Sequence, residues 1–264
     1  MQLRHRVALN DVQLDELDER ILVLGVNDNA GKETLNAVSR FGGFGQRITT
    51  RHRDTLDITV SFGLRIKAGD MQARSELFET VTAWAMTGGW LTVNYKPNRR
   101  IHVTCASLPS AGDLADWTSE FSITFRAYGV PYWQQVKPTQ VKINSARTAT
   151  RTMEIPGNAP TVLDLTFLNL SGMEIASFVF TAGGKGFTLN NLGLKANETL
   201  AIDHTAEGLL RIGIYNTSGT RRSVLGCRTA ASSDDLTVKP GSVTWSMTAQ
   251  RAGRLTVSCC GRYV

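Results

Sequence analysis

The segment TLDITVSFGLRI constrains the fold more than any other part of the chain. Leu56, Ile58, Val60, Phe62, Leu64 and Ile66 alternate without a fault against Asp57, Thr59, Ser61, Gly63 and Arg65. Successive side chains on a β-strand point to opposite faces, so the pattern predicts a strand with one buried and one polar face. A helix would scatter the same residues around its circumference. A strand this long needs partners along its length. WLTVNY and RIHVTCAS supply two, alternating on either side of KPNR. There Pro97 suits the second position of a type I turn and Asn98 the third. FSITFRAY supplies another, with Phe121, Ile123, Phe125 and Ala127 on one face and Ser122, Thr124, Arg126 and Tyr128 on the other. ILVLGV (residues 21–26) reads as a buried strand. A loop rich in Asn and Gly follows it, then a glycine-rich loop, RFGGFGQR, that carries Phe41 and Phe44 as exposed rings.

One helix interrupts these strands. Arg74, Leu77, Phe78, Val81, Trp84 and Ala85 recur at three- and four-residue intervals and form one stripe. Asp70 suits the N-cap, and Gly88-Gly89 the stop. Glu76 and Glu79 fall on the outer side, so the helix is expected to cover one face of a sheet.

After Trp133 the style changes. Short strand candidates such as TVLDLTF, ASFVF, TLAIDH, LLRIGIY and SVTWSMTA follow one another without a convincing helix. IPGNAP, TAGGKG, NTSG, KPG and RAGR separate them as turns. Many short strands at even spacing indicate a β-sandwich or jelly roll. Two domains are therefore expected in the 264 residues, 1–133 and 134–264, the first a β domain with one helix and the second all-β. Pro131 and Pro138 stiffen the joint. Tyr128, Tyr132 and Trp133 are candidate seam residues there, large amphipathic rings suited to packing between domains. A ligand platform is the alternative reading of the same rings.

The charges and motifs name no reaction. Lys and Arg number 29 against 23 Asp and Glu, a formal charge of +6, but the basic residues are scattered and read as solvated loop charge. Cys105, Cys227, Cys259 and Cys260 contain no C-x2-C pair, so they fit no zinc site and read as reduced thiols. By parity Cys259 joins the apolar set and Cys260 the polar one. His5, His52, His102 and His204 have no ligand spacing. A phosphate-gripping loop needs G-x4-G-K-[ST]. Before Gly31-Lys32 the glycine at Gly25 is one residue too far away, and Glu33 stands where a hydroxyl is required. GGKGF (183–187) reads as a tight turn and SSDDL (232–236) as a polar loop. No G-x-S-x-G elbow occurs. Asn169, Asn197 and Asn216 open glycosylation sequons. The opening MQLRHRVALND has no apolar segment of a secretory leader, so cytoplasmic synthesis is expected and the sequons carry no weight. No enzyme, cofactor or metal site is expected.

The order of features resembles a known family. A long alternating strand leads to a helix ending in WAMTGGWLTVNY, then to KPNRRIHVTC, DWTSEFSITFRAYGVPYW and a β-sandwich ending in DDLTVKPG and CGRYV. This is similar to the distal tail proteins of long-tailed, non-contractile bacteriophages and related prophages. The resemblance spans essentially the whole chain and implies a tail-tube-like split barrel followed by a galectin-like sandwich. It further implies a homo-hexameric ring at the tail tip, without catalysis, in the virion after assembly in the bacterial host cytoplasm. The implied partners are tail tube subunits on one side and tail-tip fibre or receptor-binding proteins on the other, with DNA passing non-specifically through the opening. Unpaired backbone edges near Leu56 and Ile58, and the turn at Pro97 and Asn98, are candidate inter-subunit contacts together with Phe41 and Phe44. A carbohydrate-binding sandwich that attaches to host polysaccharide is the alternative. Trp245 counts against it, because it alternates in phase with the apolar set and so belongs to a core.

Overall fold

The computed structural model describes residues 5–28, 31, 33–39, 46–67, 69–109 and 120–264. The chain divides into two compact units, Met1–Trp133 and Gln134–Val264. Both are mainly β.

The first unit holds β1 (Val7–Leu9), β2 (Val12–Gln13), β3 (Ile21–Asp28), β4 (Glu33–Ser39), β5 (Gln46–Arg53), β6 (Leu56–Leu64), helix α1 (Met71–Met86), β7 (Gly89–Val93), β8 (Arg99–Ser107) and β9 (Glu120–Ala127). Its sheet runs β2-β1-β7-β8-β9-β6-β3. The alternation of β6 is matched opposite: Ile58 pairs with Phe125, Val60 with Ile123 and Phe62 with Phe121, so one face of both strands is wholly apolar. All six side chains are buried. Helix α1 lies on that face through Leu77, Val81, Trp84 and Ala85. Trp84 meets Phe125 edge-on at 5.8 Å, Phe78 meets Phe121 at 5.9 Å, and the Trp84 indole donates to the Val12 carbonyl at 3.1 Å. Asp70 caps the helix by accepting from the Ala73 N–H at 3.1 Å. Burying rings of this size supplies about 2–3 kcal/mol each, and their tilted or edge-on pairing adds to that.

Three sequence expectations change here. The turn between β7 and β8 closes with the Arg99 N–H donating to the Lys96 carbonyl, but Asn98 sits at φ +61°. A type I turn needs a negative φ at that position, and proline at the second excludes the mirror-image turns, so this is a type II turn. The strand at β6 ends at Leu64, two residues short of the alternating pattern. The stretch after β3 is no plain loop: β4 and β5 form a two-stranded hairpin, Glu33 opposite Arg53 and Ser39 opposite Gln46, with a bulge between Asn36 and Ala37. Phe41 and Phe44 fall in the connection between them, outside the described residues.

After β10 (Trp133–Gln135), which crosses the boundary, the second unit holds β11 (Thr139–Ile155), β12 (Thr161–Val162), β13 (Asp164–Asn169), β14 (Phe178–Ala182), β15 (Lys185–Leu189), β16 (Thr199–His204), β17 (Leu210–Tyr215), β18 (Arg221–Ser223), β19 (Thr237–Val238), β20 (Gly241–Cys259) and β21 (Arg262–Tyr263). A long ribbon of β11 and β20 is its spine, pairing from Thr139 opposite Cys259 to Ile155 opposite Gly241. The first half of β20 carries β14 and β15, and the second half carries β13, β16, β17 and β18. One ribbon thus serves both sheets of a sandwich. Its register shifts between Ile143 and Thr148, opposite Gly253, mark the change. Inner faces of both halves meet in one core that includes Phe167, Phe178, Phe180, Phe187, Trp245 and Leu255. Gly253 is required there, since a Cβ would stand 2.4 Å from the Phe167 ring and 2.5 Å from the Leu168 carbonyl.

Candidate assembly surfaces

The end of β3 carries the most connected polar group of the first unit. Asp28 Oδ2 accepts from the Trp133 indole N–H at 3.1 Å and from the Lys96 ammonium, which also lies 4.7 Å from the centre of the Trp133 ring. The Tyr95 hydroxyl donates to Asp28 Oδ1 at 3.4 Å. Its ring is 42% exposed, but the hydroxyl is turned inward to a carboxylate. Burial first, then the Asp28 charge and hydrogen bond, push its pKa up to about 12. Three separated pieces of chain, the end of β3, the β7–β8 turn and Trp133, are thereby held together. Of the seam candidates, Trp133 is therefore tied to Asp28, and it is fully buried. Tyr132 is half-buried under the Arg53 guanidinium at 5.1 Å, while Tyr128 is 58% exposed. Arg126, near Tyr128, forms a two-pronged pair with Asp57 at 2.6 and 2.7 Å, and this guanidinium holds the Asp57 carboxyl below its usual range.

The edge candidates separate more sharply. β6 pairs with β9 on one side and β3 on the other from Ile58 to Gly63, and Leu56 pairs with Ala127. Leu56 and Ile58 are buried, and from Ile58 to Gly63 both backbone edges of β6 are already paired within the unit. Pro97 and Asn98 remain exposed at a turn. Among the described strands the sheet ends at β2, which pairs only with β1, and at β3, which pairs only with β6 and offers the longer open edge.

Sequence reasoning passed over the β4–β5 hairpin. Every described side chain of β4 from Glu33 to Val38 is exposed, so neither face of that strand is covered. Leu35, Val38 and Ile48 are 50–57% exposed. ETLNAVS and QRITTRHR show no apolar face, which is the usual signal for a strand, and this left the hairpin illegible.

In the second unit a groove of about 650 Å³ lies over β11, β20, β14 and β15, lined by Thr150, Thr181, Lys185, Ser233, Thr244 and Ser246. Thr181 meets Ser246 at 2.7 Å, Thr244 meets Thr152 at 3.1 Å, Ser233 accepts from the Gly186 N–H at 3.0 Å, and Lys185 is engaged by Asp235 at 2.5 Å. Trp245 turns into the core and stacks on Phe180 at 5.8 Å, so it offers no platform to the groove. His204 Nδ1 meets Asp164 at 2.8 Å in a side chain that is nearly buried, which suits a structural pair. Burial pushes the Cys259 thiol up to about 12, with Cys260 and Asp164 adding to the shift, and none of the four cysteines forms a disulfide. The CGRYV ending is fastened: Asn158 N–H donates to the Arg262 carbonyl at 2.9 Å and Val264 N–H to the Asn158 side chain at 2.8 Å. A Cβ on Gly261 would stand 2.6 Å from the Pro156 carbonyl, so that close approach requires glycine. Among the described residues no group of His, Cys, Asp or Glu could hold a metal, and no helix is long and apolar enough to cross a membrane.

No protein family's sequence profile and no curated protein sequence matches the chain. Solved structures do. The Dit (gp 19.1) protein of phage SPP1, described as a paradigm of the hub adsorption apparatus in phages that infect Gram-positive hosts, superposes with a TM-score of 0.69 at 13% identity, over 98% of this chain and 99% of that one. This is the Dit fold. A chain of the phage P2 baseplate in its activated, calcium-bound conformation matches with a TM-score of 0.53 at 8% identity, over 98% and 97%. The Dit fold thus accounts for both units in their order along the chain, at an identity where only architecture is still recognisable.

Proposed function

We propose that the chain is a structural subunit of a phage tail tip, in which copies joined head-to-tail close a hexameric ring. The first unit builds the ring and the second projects as a sandwich. Tube subunits dock on one side, fibre or receptor-binding proteins on the other, and DNA passes through the opening without being read. The observation that carries this reading is the near end-to-end coverage of a phage hub protein by both units together. A sandwich alone would be shared with many unrelated activities, but the pair in this order is much more specific. Head-to-tail contacts between two different patches close into a ring when the rotation allows, and each subunit then needs two unlike surfaces.

The decisive measurement is the native mass of the purified protein by mass photometry, with electron microscopy of the same sample. Closed sixfold rings are expected, alone or on addition of tube subunits. A species that stays monomeric at high concentration, and that neither tube nor fibre proteins recruit, overturns the reading. The carbohydrate alternative would use the hydroxyl-lined groove of the second unit. Binding on a glycan array that Thr150→Val and Ser246→Val abolish would favour it.

A further inference from the structure

We infer that the β4–β5 hairpin is an arm that docks on the acidic segment 11–20 of a second copy of this chain. The inference rests on the ring reading and deepens it by naming both contact surfaces. A two-stranded hairpin is marginally stable by itself in water, yet this one extends with both faces of β4 uncovered. Leu35, Val38 and Ile48 give it exposed apolar surface that a partner would bury. Residues 33–53 carry four arginines against one glutamate. Residues 11–20, DVQLDELDER, carry five acids against one arginine. Asp11, Glu16 and Glu19 in that segment are exposed, and Arg20 offsets only Asp18, at 2.8 Å.

Topology keeps a subunit from answering its own arm. The acidic segment enters β3 at Ile21 and the arm leaves after Asp28, so the two charges sit at opposite ends of one strand, roughly 25 Å apart at about 3.3 Å per residue. Opposite charge at opposite ends of an edge strand is the arrangement a head-to-tail contact needs, and it sets orientation as well as attraction. Like-to-like pairing would bring arm against arm and is disfavoured by charge.

The test compares the oligomeric mass of the full chain with those of three variants, each in 50 mM and in 500 mM NaCl. Arg47→Glu with Arg51→Glu should shift the assembly to monomers, Glu16→Lys with Glu19→Lys should do the same, and the fourfold charge exchange should restore it. Glu16 and Glu19 are surface positions, and unchanged circular dichroism in every variant verifies the fold. Should a variant misfold, salt still reads the contact, because assembly of the unaltered protein should weaken at 500 mM. Rings that persist in the arm variants overturn the arm. Loss with the arm variants but not with the acidic ones overturns the proposed seat. Intact rings whose affinity for duplex DNA falls in the arm variants reassign the arm to the channel and overturn it as well. Open oligomers that dissociate in the arm variants would sustain the arm while refuting the closed ring, and a protein that is always monomeric refutes both.

Discussion

At the scale of single residues, two weak acids with raised pKa values shape how this protein meets alkali. Cys259 and Tyr95 both have pKa values raised to about 12 in the folded chain, from 9.0 and 10.0. Unfolding frees each to lose its proton at its ordinary value. Stability linked to them is fully present below about pH 9 and is lost as pH rises from there through 12. Urea unfolding followed from pH 8 to 11 should show a falling midpoint, and Tyr95→Phe should flatten the upper part of that fall. Native Cys259 should also stay unmodified by iodoacetamide at pH 8, because its thiol is both buried and protonated. Alkylation of Cys259 as fast as of Cys227 would contradict the burial.

At the scale of elements, the long ribbon carries the clearest prediction. Gly253→Ala places a methyl group against the Phe167 ring and the Leu168 backbone, and backbone cannot move aside as a side chain can. The expected cost is about 3 kcal/mol, the upper range for overpacking, read as a lowered urea midpoint with unchanged slope. What the sequence reveals about elements follows one physical rule. Where burial is one-sided it writes a period into the residues, and β6, β9 and α1 were legible with their faces. Where nothing is buried, as in β4 and β5, there is no period to read. The type II turn was missed because Pro97 suits both turn types and only the φ of Asn98 separates them. That β6 is paired on both sides from Ile58 to Gly63, while β3 pairs only with β6 among the described strands, is illegible for a related reason: alternation reports which face is buried, and says nothing of which backbone groups are already paired. Likewise the aromatic cluster before Pro138 was visible, but that Trp133 is tied to Asp28 across more than a hundred residues of chain was not.

At the scale of the whole molecule, the second unit has the means to fold by itself. Its core runs from Ala149 to Cys259 without borrowing a residue from the first unit. A fragment of residues 134–264 should therefore give a dispersed amide NMR spectrum and a single cooperative melt. A collapsed spectrum would mean that the sandwich needs the rest of the chain.

The ribbon has a mechanical consequence. Thr139 at the start of β11 lies opposite Cys259 at the end of β20, so both chain ends of the second unit leave from the same end of the longest strand pair. Tension applied through those ends would unzip the pair rung by rung, a low-force path, whereas a shearing load would have to break many rungs at once.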